Sequence, residues 1–140
     1  MGLRIGDKAP DFSLYSSEKE LIHLHDYVGK NVVLLFYPLA FTRVCTKELC
    51  STRDDLSIYN ELDTEILAIS TDTPQSLAVF KEMNGFNFKL LSDFNKEVIR
   101  SYDVMYEEYG LGMKGVAKRA VFVIDGEGII RHCEVLEVAG

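Results

Sequence analysis

The chain has 140 residues, of which 47% are apolar, and its 22 acidic against 15 basic residues give a formal net charge of −7. That length and apolar content suit one folded domain with a real core, and the negative charge argues against nucleic acid or an anionic membrane surface as a partner. The longest apolar run, residues 32–41, is too short to span a bilayer, no secretory leader is recognisable, and three cysteines, few and odd in number, point to reactive thiols and a cytoplasmic home.

Residues 1–10 form an arm with Gly6 and Pro10. Residues 11–15 and 21–24 are short strand-like pieces, with Ser16, Ser17 and Glu18 as the turn between them, so a hairpin is expected. Residues 25–30 connect this hairpin to a run of six apolar or aromatic residues, Val32 to Tyr37. A short run of that kind reads as a strand buried on both faces. Pro38 has no N–H to give to a ladder and ends the strand.

From Thr42 the pattern turns helical. Cys45, Leu49, Leu56 and Tyr59 fall on one face at helical spacing, and the helix is expected to run to about Leu62. Thr42 is a good N-cap. Cys45 then sits in the first turn, where free N–H groups and the positive helix end favour an anion. A thiol there ionises more easily than a free one, so the arrangement suits thiolate chemistry.

Residues 65–70 form a second buried strand. Asp72-Thr73-Pro74 starts a helix, with Thr73 as N-cap and Pro74 as first helical residue; it carries Leu77, Val79, Phe80 and Met83 and ends near Asn84-Gly85. Leu90-Leu91 is a short strand, and Ser92-Asp93 begin a helix with Val98, Ile99 and Tyr102 apolar. Residues 107–115 contain three glycines and form the most flexible-looking segment. Arg119 leads into an apolar strand at 120–125, residues 125–128 make a hairpin turn, and 129–135 form the return strand. A β-α-β core followed by an antiparallel hairpin gives an α/β fold with a central mixed sheet flanked by helices.

The residues also carry a family resemblance. Pro38-Leu39-Ala40-Phe41-Thr42-Arg43-Val44-Cys45 resembles the Pro-x-x-x-Thr-x-x-Cys motif of peroxiredoxins, and Arg119 before a distant apolar strand resembles their second signature. The opening Gly6-Asp7-Lys8-Ala9-Pro10-Asp11-Phe12 and the Val-Ile-Asp-Gly-Glu-Gly hairpin are similar to the family too, so the resemblance covers nearly the whole chain. It implies a thioredoxin-like fold over residues 1–140. It further implies a cofactor-free peroxidase acting on hydrogen peroxide and organic hydroperoxides, with Cys45 as the peroxidatic thiolate. Thr42, Val44, Cys45 and Arg119 would contact the peroxide, and the Pro38 ring would shield the sulfur. Cys50 resembles the resolving cysteine of the Q-type, or bacterioferritin-comigratory, subgroup, while the Leu-Ala-Phe-Thr wording is more similar to the one-cysteine alkyl hydroperoxide reductase E subgroup. A sulfenic acid on Cys45 would condense with Cys50, and thioredoxin or a glutaredoxin-type dithiol would reduce the disulfide. Members usually carry another helix after the last hairpin, and residues 136–140 leave no room for it. The expectation is therefore a truncated product or a sheet face covered by something else, as monomer or homodimer.

Each residue also has a plainer reading. Cys45 as a buried hydrophobe fits poorly with the helix start, Thr42 and Arg119. Arg119 could be a strand-end surface charge, but the guanidinium fork suits a fixed cation beside sulfur and peroxide, and Lys118 is the better solvated charge. Glu48 is either a solvated helix charge or the group that orients Arg119. Cys50 is either core or resolving: five positions apart on an ideal helix are about 8–9 Å between Cα atoms, beyond the roughly 7 Å that a disulfide tolerates. Bridging therefore requires the helix to unwind. Cys133 reads as structural, and His23, His25 and His132 show no metal-ligand spacing with the cysteines. Two rival functions stay open. A disulfide reductase would want Cys-x-x-Cys, which is absent, and a redox-responsive chaperone would keep holdase activity without Cys45.

Overall fold

The computed structural model describes residues 3–38, 40, 50, 64–107 and 114–135. Its described strands form one seven-stranded sheet, made of β1 (Ser13–Ser16), β2 (Leu21–His23), β3 (Asn31–Phe36), β4 (Thr64–Ser70), β5 (Lys89–Ser92), β6 (Ala120–Ile124) and β7 (Ile130–Val135). The order across the sheet is β2-β1-β5-β4-β3-β6-β7. β3 pairs in parallel with β4, and β4 in parallel with β5; β1 and β6 flank them antiparallel, so the sheet is mixed as expected. The N-terminal hairpin is β1 and β2, in register from Ser13 opposite His23 to Tyr15 opposite Leu21.

The central run behaves as its composition requires. All five residues from Val32 to Phe36 are buried, alternately on the two faces of the sheet. Val32, Leu34 and Phe36 join Leu67, Ile69, Leu91, Phe122 and Ile124 in one core cluster. Val33, Leu35 and Tyr37 join Ile66, Ala68 and Leu90 in the other. Tyr37 still donates its N–H to Ile69 at 3.1 Å, one step beyond the strand, and the ladder stops at Pro38.

Helix α1 (Pro74–Asn84) covers the second cluster with Leu77 and Phe80, both fully buried. Its start is as the sequence predicts: Thr73 is the N-cap and its hydroxyl accepts from the Ser76 N–H, with Pro74 in the first turn. Gly85 closes it at φ 63°, the left-handed conformation that glycine adopts without cost. Of the helix's other apolar residues, Val79 and Met83 are 51% and 71% exposed. The buried stripe is narrow because Phe86 and Phe88, just past the helix, supply the remaining apolar surface; the Phe80 and Phe86 rings meet edge-on at 5.1 Å.

Helix α2 (Glu97–Ser101) lies in the first cluster through Val98 and Ile99. Asp93 does begin it, but from a distance: its carboxylate accepts the Val98 N–H at 3.2 Å and the Ile99 N–H at 2.8 Å. Burial pushes the Asp93 carboxyl above the usual range, against the opposing pull of those amide donors. Tyr102, just after the helix, sits among Phe12, Phe36 and Phe122 and donates its hydroxyl to the Pro10 carbonyl at 2.7 Å. Its phenol is raised well above its ordinary value, chiefly by burial.

Candidate active site

Two strand ends lie side by side where the sequence expects the chemistry. In the β3–β6 pairing Phe36 stands opposite Ala120, so one further step of that antiparallel register sets Tyr37 beside Arg119. Pro38, the next residue, is buried. Arg119 is itself buried, at 5% exposure, whereas Lys118 is half-buried and its N–H is held by the Val104 carbonyl at 2.6 Å. Of the two neighbouring cations, Arg119 is therefore the more deeply buried. A charge this deep is held in a medium where its field is screened far less than at the surface.

Strand alternation decides which face Arg119 takes. Ala120, Phe122 and Ile124 belong to the first cluster; Val121 and Val123 pack against the second. Arg119 shares the parity of Val121 and so lies on the face of the second cluster. Cys50 belongs to that face too. It is half-buried with helical backbone, packs against the second cluster, and its thiol points to the Asn84 side-chain oxygen at 3.8 Å. Asn84 is in turn fixed by its amide donating to the Phe80 carbonyl at 2.9 Å. Cys50 is a free thiol in this structure.

Thr42, Val44, Cys45 and Glu48 lie outside the described residues, as do Leu49, Leu56, Tyr59 and the rest of the expected helix to Leu62, the 108–113 part of the glycine-rich segment, and residues 136–140. The described part of that segment is tied down: Tyr106 and Val116 share a 2.8 Å backbone hydrogen bond, and Gly115 donates to Tyr106 at 3.0 Å.

Asp72 is a residue near the site that sequence reasoning passed over. Its carboxylate accepts the Ala40 N–H at 2.7 Å and the Ser70 hydroxyl at 2.8 Å, joining the loop after Pro38 to the end of β4. Its carbonyl accepts the Ser92 hydroxyl at 2.6 Å, and Asp93 donates its N–H to Ser70 at 2.7 Å, which adds the end of β5. The Asp-Thr-Pro signal was legible only as a helix start, because a contact spanning 32 residues has no local signature.

Cys133 lies opposite Phe122 on β7, packs against the first cluster and has its thiol 3.8 Å from the Leu3 carbonyl, on the face opposite Cys50. His23 and His25 stack at 4.9 Å, and His25 pairs with Asp11 at 2.9 Å. Among the described residues no group of three or more histidine, cysteine or acidic side chains is placed to hold a metal ion, and no helix is long and apolar enough to cross a membrane. A groove of about 590 Å³ beside β1 and α2 is lined by residues such as Asp11, Leu14, Tyr15 and Asp93 and includes neither Arg119 nor Cys50.

Known proteins resemble this chain along most of its length. The AhpC/TSA family matches residues 5–133. The alkyl hydroperoxide reductase E of Mycobacterium bovis is 41% identical over 136 residues, which is 95% of this chain and 86% of that protein. The crystal structure of the peroxidoxin BcpB from Mycobacterium tuberculosis superposes with a TM-score of 0.88 at 33% identity, covering 98% of this chain and 88% of that one. That of Xylella fastidiosa PrxQ gives 0.90 at 26% identity, over 100% and 91%.

Proposed function

This chain belongs to the AhpC/TSA family, the peroxiredoxins, with their thioredoxin-like fold and thiol-dependent peroxidase activity, and from that premise we propose that Cys45 is its peroxidatic residue. Peroxides are its substrates and thiols its reductants. The observation that carries the assignment of the site is the burial of Arg119 at the strand end beside Tyr37, which stands eight residues before Cys45 in the chain.

The chemistry follows from that cation. The Cys45 thiolate attacks one peroxide oxygen along the O–O bond; an S–O bond forms, the O–O bond breaks, and the far oxygen leaves as alkoxide or hydroxide and takes up a proton. Charge moves from sulfur to oxygen across a short distance. A guanidinium that reaches both ends of that path stabilises the transition state more than the separated reactants. Thr42 supplies a hydroxyl able to donate to the peroxide, the backbone at Val44 and Cys45 supplies N–H donors, and Pro38 keeps water from the sulfur. Glu48 is assigned the orientation of the Arg119 fork.

Cys45 is left as a sulfenic acid, two electrons oxidised. Cys50 attacks it, forming a disulfide and releasing water, and a thioredoxin- or glutaredoxin-type dithiol restores both thiols by exchange. Cys50 is half-buried, packed against α1 and held near Asn84, and five positions on an ideal helix are further apart than a disulfide tolerates, so the bridge calls for local unwinding. Relatives named after alkyl hydroperoxide reductase E match in sequence and a PrxQ structure matches in fold, and Cys50 favours the PrxQ mode of recycling. The reading includes antioxidant service in the cytoplasm, as monomer or homodimer.

Thiol alkylation against pH tests the assignment. Cys45 is expected to titrate below a free thiol, whose ordinary value is about 8.5. A midpoint at or above that value would sink the thiolate site. Disulfide reduction without peroxide, or holdase activity that survives Cys45→Ser, would instead favour a reductase or a chaperone.

A further inference from the structure

The structure assigns to Asp72 the role of a positioning residue for the peroxidatic loop. The inference rests on Cys45 being the peroxidatic residue, as proposed above. One carboxylate oxygen of Asp72 accepts both the Ala40 N–H at 2.7 Å and the Ser70 hydroxyl at 2.8 Å. Ser70 is fully buried, Ala40 is 7% exposed and Asp72 is half-buried, so these bonds are partly shielded from water and hold geometry more firmly than fully exposed contacts. Ala40 stands two residues after the proline that ends β3 and five before Cys45. It has left the sheet, so no ladder fixes its N–H; Asp72 does so from just past the end of β4.

Asp72 is itself held from several directions. Its own N–H donates to the Ser70 hydroxyl at 3.3 Å, its carbonyl accepts the Ser92 hydroxyl at 2.6 Å, and Thr73 caps α1 immediately after it. The loop after Pro38 is thereby referenced to the ends of β4 and β5 and to the start of α1. Reactions that depend on a nucleophile held in line with a breaking bond are sensitive to displacements of about 1 Å, which can cost about 100-fold in rate. Asp72 touches neither the sulfur nor the peroxide in this account; it acts through the backbone at Ala40.

The test is single-turnover peroxide reduction and pH-dependent alkylation of Cys45 in the full chain, with Asp72→Ala, Asp72→Asn and Asp72→Glu, each first checked for folding by circular dichroism. Asp72→Ala is expected to slow peroxide reduction by about 10- to 100-fold and to raise the alkylation midpoint. Asp72→Asn keeps an acceptor oxygen at the same place and is expected to stay within about threefold of the parent. That rescue separates the acceptor's role from general stability and from charge. If Asp72→Ala does not fold, Asp72→Glu carries the test, because its longer stem keeps charge and acceptor but shifts the loop, and a clear loss of rate is expected. Parent-like rates in Asp72→Ala or Asp72→Glu overturn the inference, and so does an Asp72→Asn as slow as the alanine variant. A parent protein whose Cys45 does not react with peroxide overturns the peroxidase site itself, a result distinct from these.

Discussion

The two faces of the sheet are both apolar, yet they bury different kinds of polar group. On the α2 face, Val32, Leu34, Phe36, Ile69 and Phe122 meet Tyr102, Val98 and Ile99, and the polar groups there complete the packing of the core. Asp93 caps α2, and the Tyr102 hydroxyl closes on the Pro10 carbonyl. On the α1 face, the second cluster runs up to Tyr37, Ala40 and Cys50, and Arg119 shares its side of β6. Asp72 and Asn84 there reach across 32 and 34 residues to hold Ala40 and Cys50. With Cys45 as the proposed peroxidatic residue, one face serves stability and the other also holds groups in position for chemistry, so substitutions on the two should damage different properties.

The largest expected effect is on the stability face. Phe122→Ala removes a ring that is 1% exposed and meets both Phe36 and Tyr102, and should cost about 3–5 kcal/mol of unfolding free energy. Denaturant titration measures it, and the peroxide rate of the fraction that remains folded should stay close to the parent's. The reverse is expected across the sheet: Arg119→Ala should slow peroxide reduction by about 100- to 1,000-fold, as for removal of one group that stabilises developing charge, and should raise the Cys45 alkylation midpoint. Lys118→Ala, on the half-buried neighbour, should do little, and equal effects from the two would place the cation elsewhere.

These expectations depend on how much of each face could be read in advance. The hairpin, the β3 strand, the Thr73-Pro74 helix start and the 125–128 turn all announce themselves within a few residues, and each is present. The choice of Pro38 and Arg119 as members of one site came from a family motif that joins residues the chain separates by 81 positions. Which apolar residues of α1 are covered was not legible: Val79 and Met83 are exposed while Phe86 and Phe88, just past the helix, join the second cluster. Asp72, and the Asn84 contact of Cys50, stayed hidden because their partners are distant in sequence and the side chains already had local explanations as a helix start and a helix end.

A smaller effect sharpens the stability face further. Tyr102→Phe keeps the ring and leaves the carbonyl of half-buried Pro10 without its Tyr102 donor, which should cost about 1 kcal/mol with no change in Cys45 reactivity. The smallest concerns His25 and Asp11 at the surface. The hydrogen bond to Asp11 holds the His25 imidazolium, raising its titration, so that contribution is complete below the ordinary histidine value of 6.5 and is lost as pH rises through the raised one. Burial works against the Asp11 carboxylate, but the bonds from His25 and the Phe12 backbone outweigh it and lower its titration from 3.8; its contribution is present above that value and lost as pH falls through the lowered one. The pair therefore stabilises most between about pH 4 and 6.5. The gap in melting temperature between parent and His25→Ala should be small, largest in that window, and reduced by salt.

Local unwinding makes a further separation. Amide exchange at residues 43–53 should be protected in the reduced protein and open in the oxidised one, while β6 and α2 keep their protection in both. Equal protection in the two forms alongside a Cys45–Cys50 bond would contradict the unwinding account.

The most direct measurement of the central claim is mass spectrometry of the protein treated with one equivalent of hydrogen peroxide. The three thiols are chemically distinguishable by peptide, and two of them, Cys50 and Cys133, lie on opposite faces of the sheet. Oxidation is expected on Cys45, as a sulfenic acid when Cys50 is replaced by serine and as a Cys45–Cys50 disulfide in the parent, with Cys133 unchanged. An unmodified Cys45, with oxidation spread over Cys50 and Cys133 or absent altogether, would contradict the account.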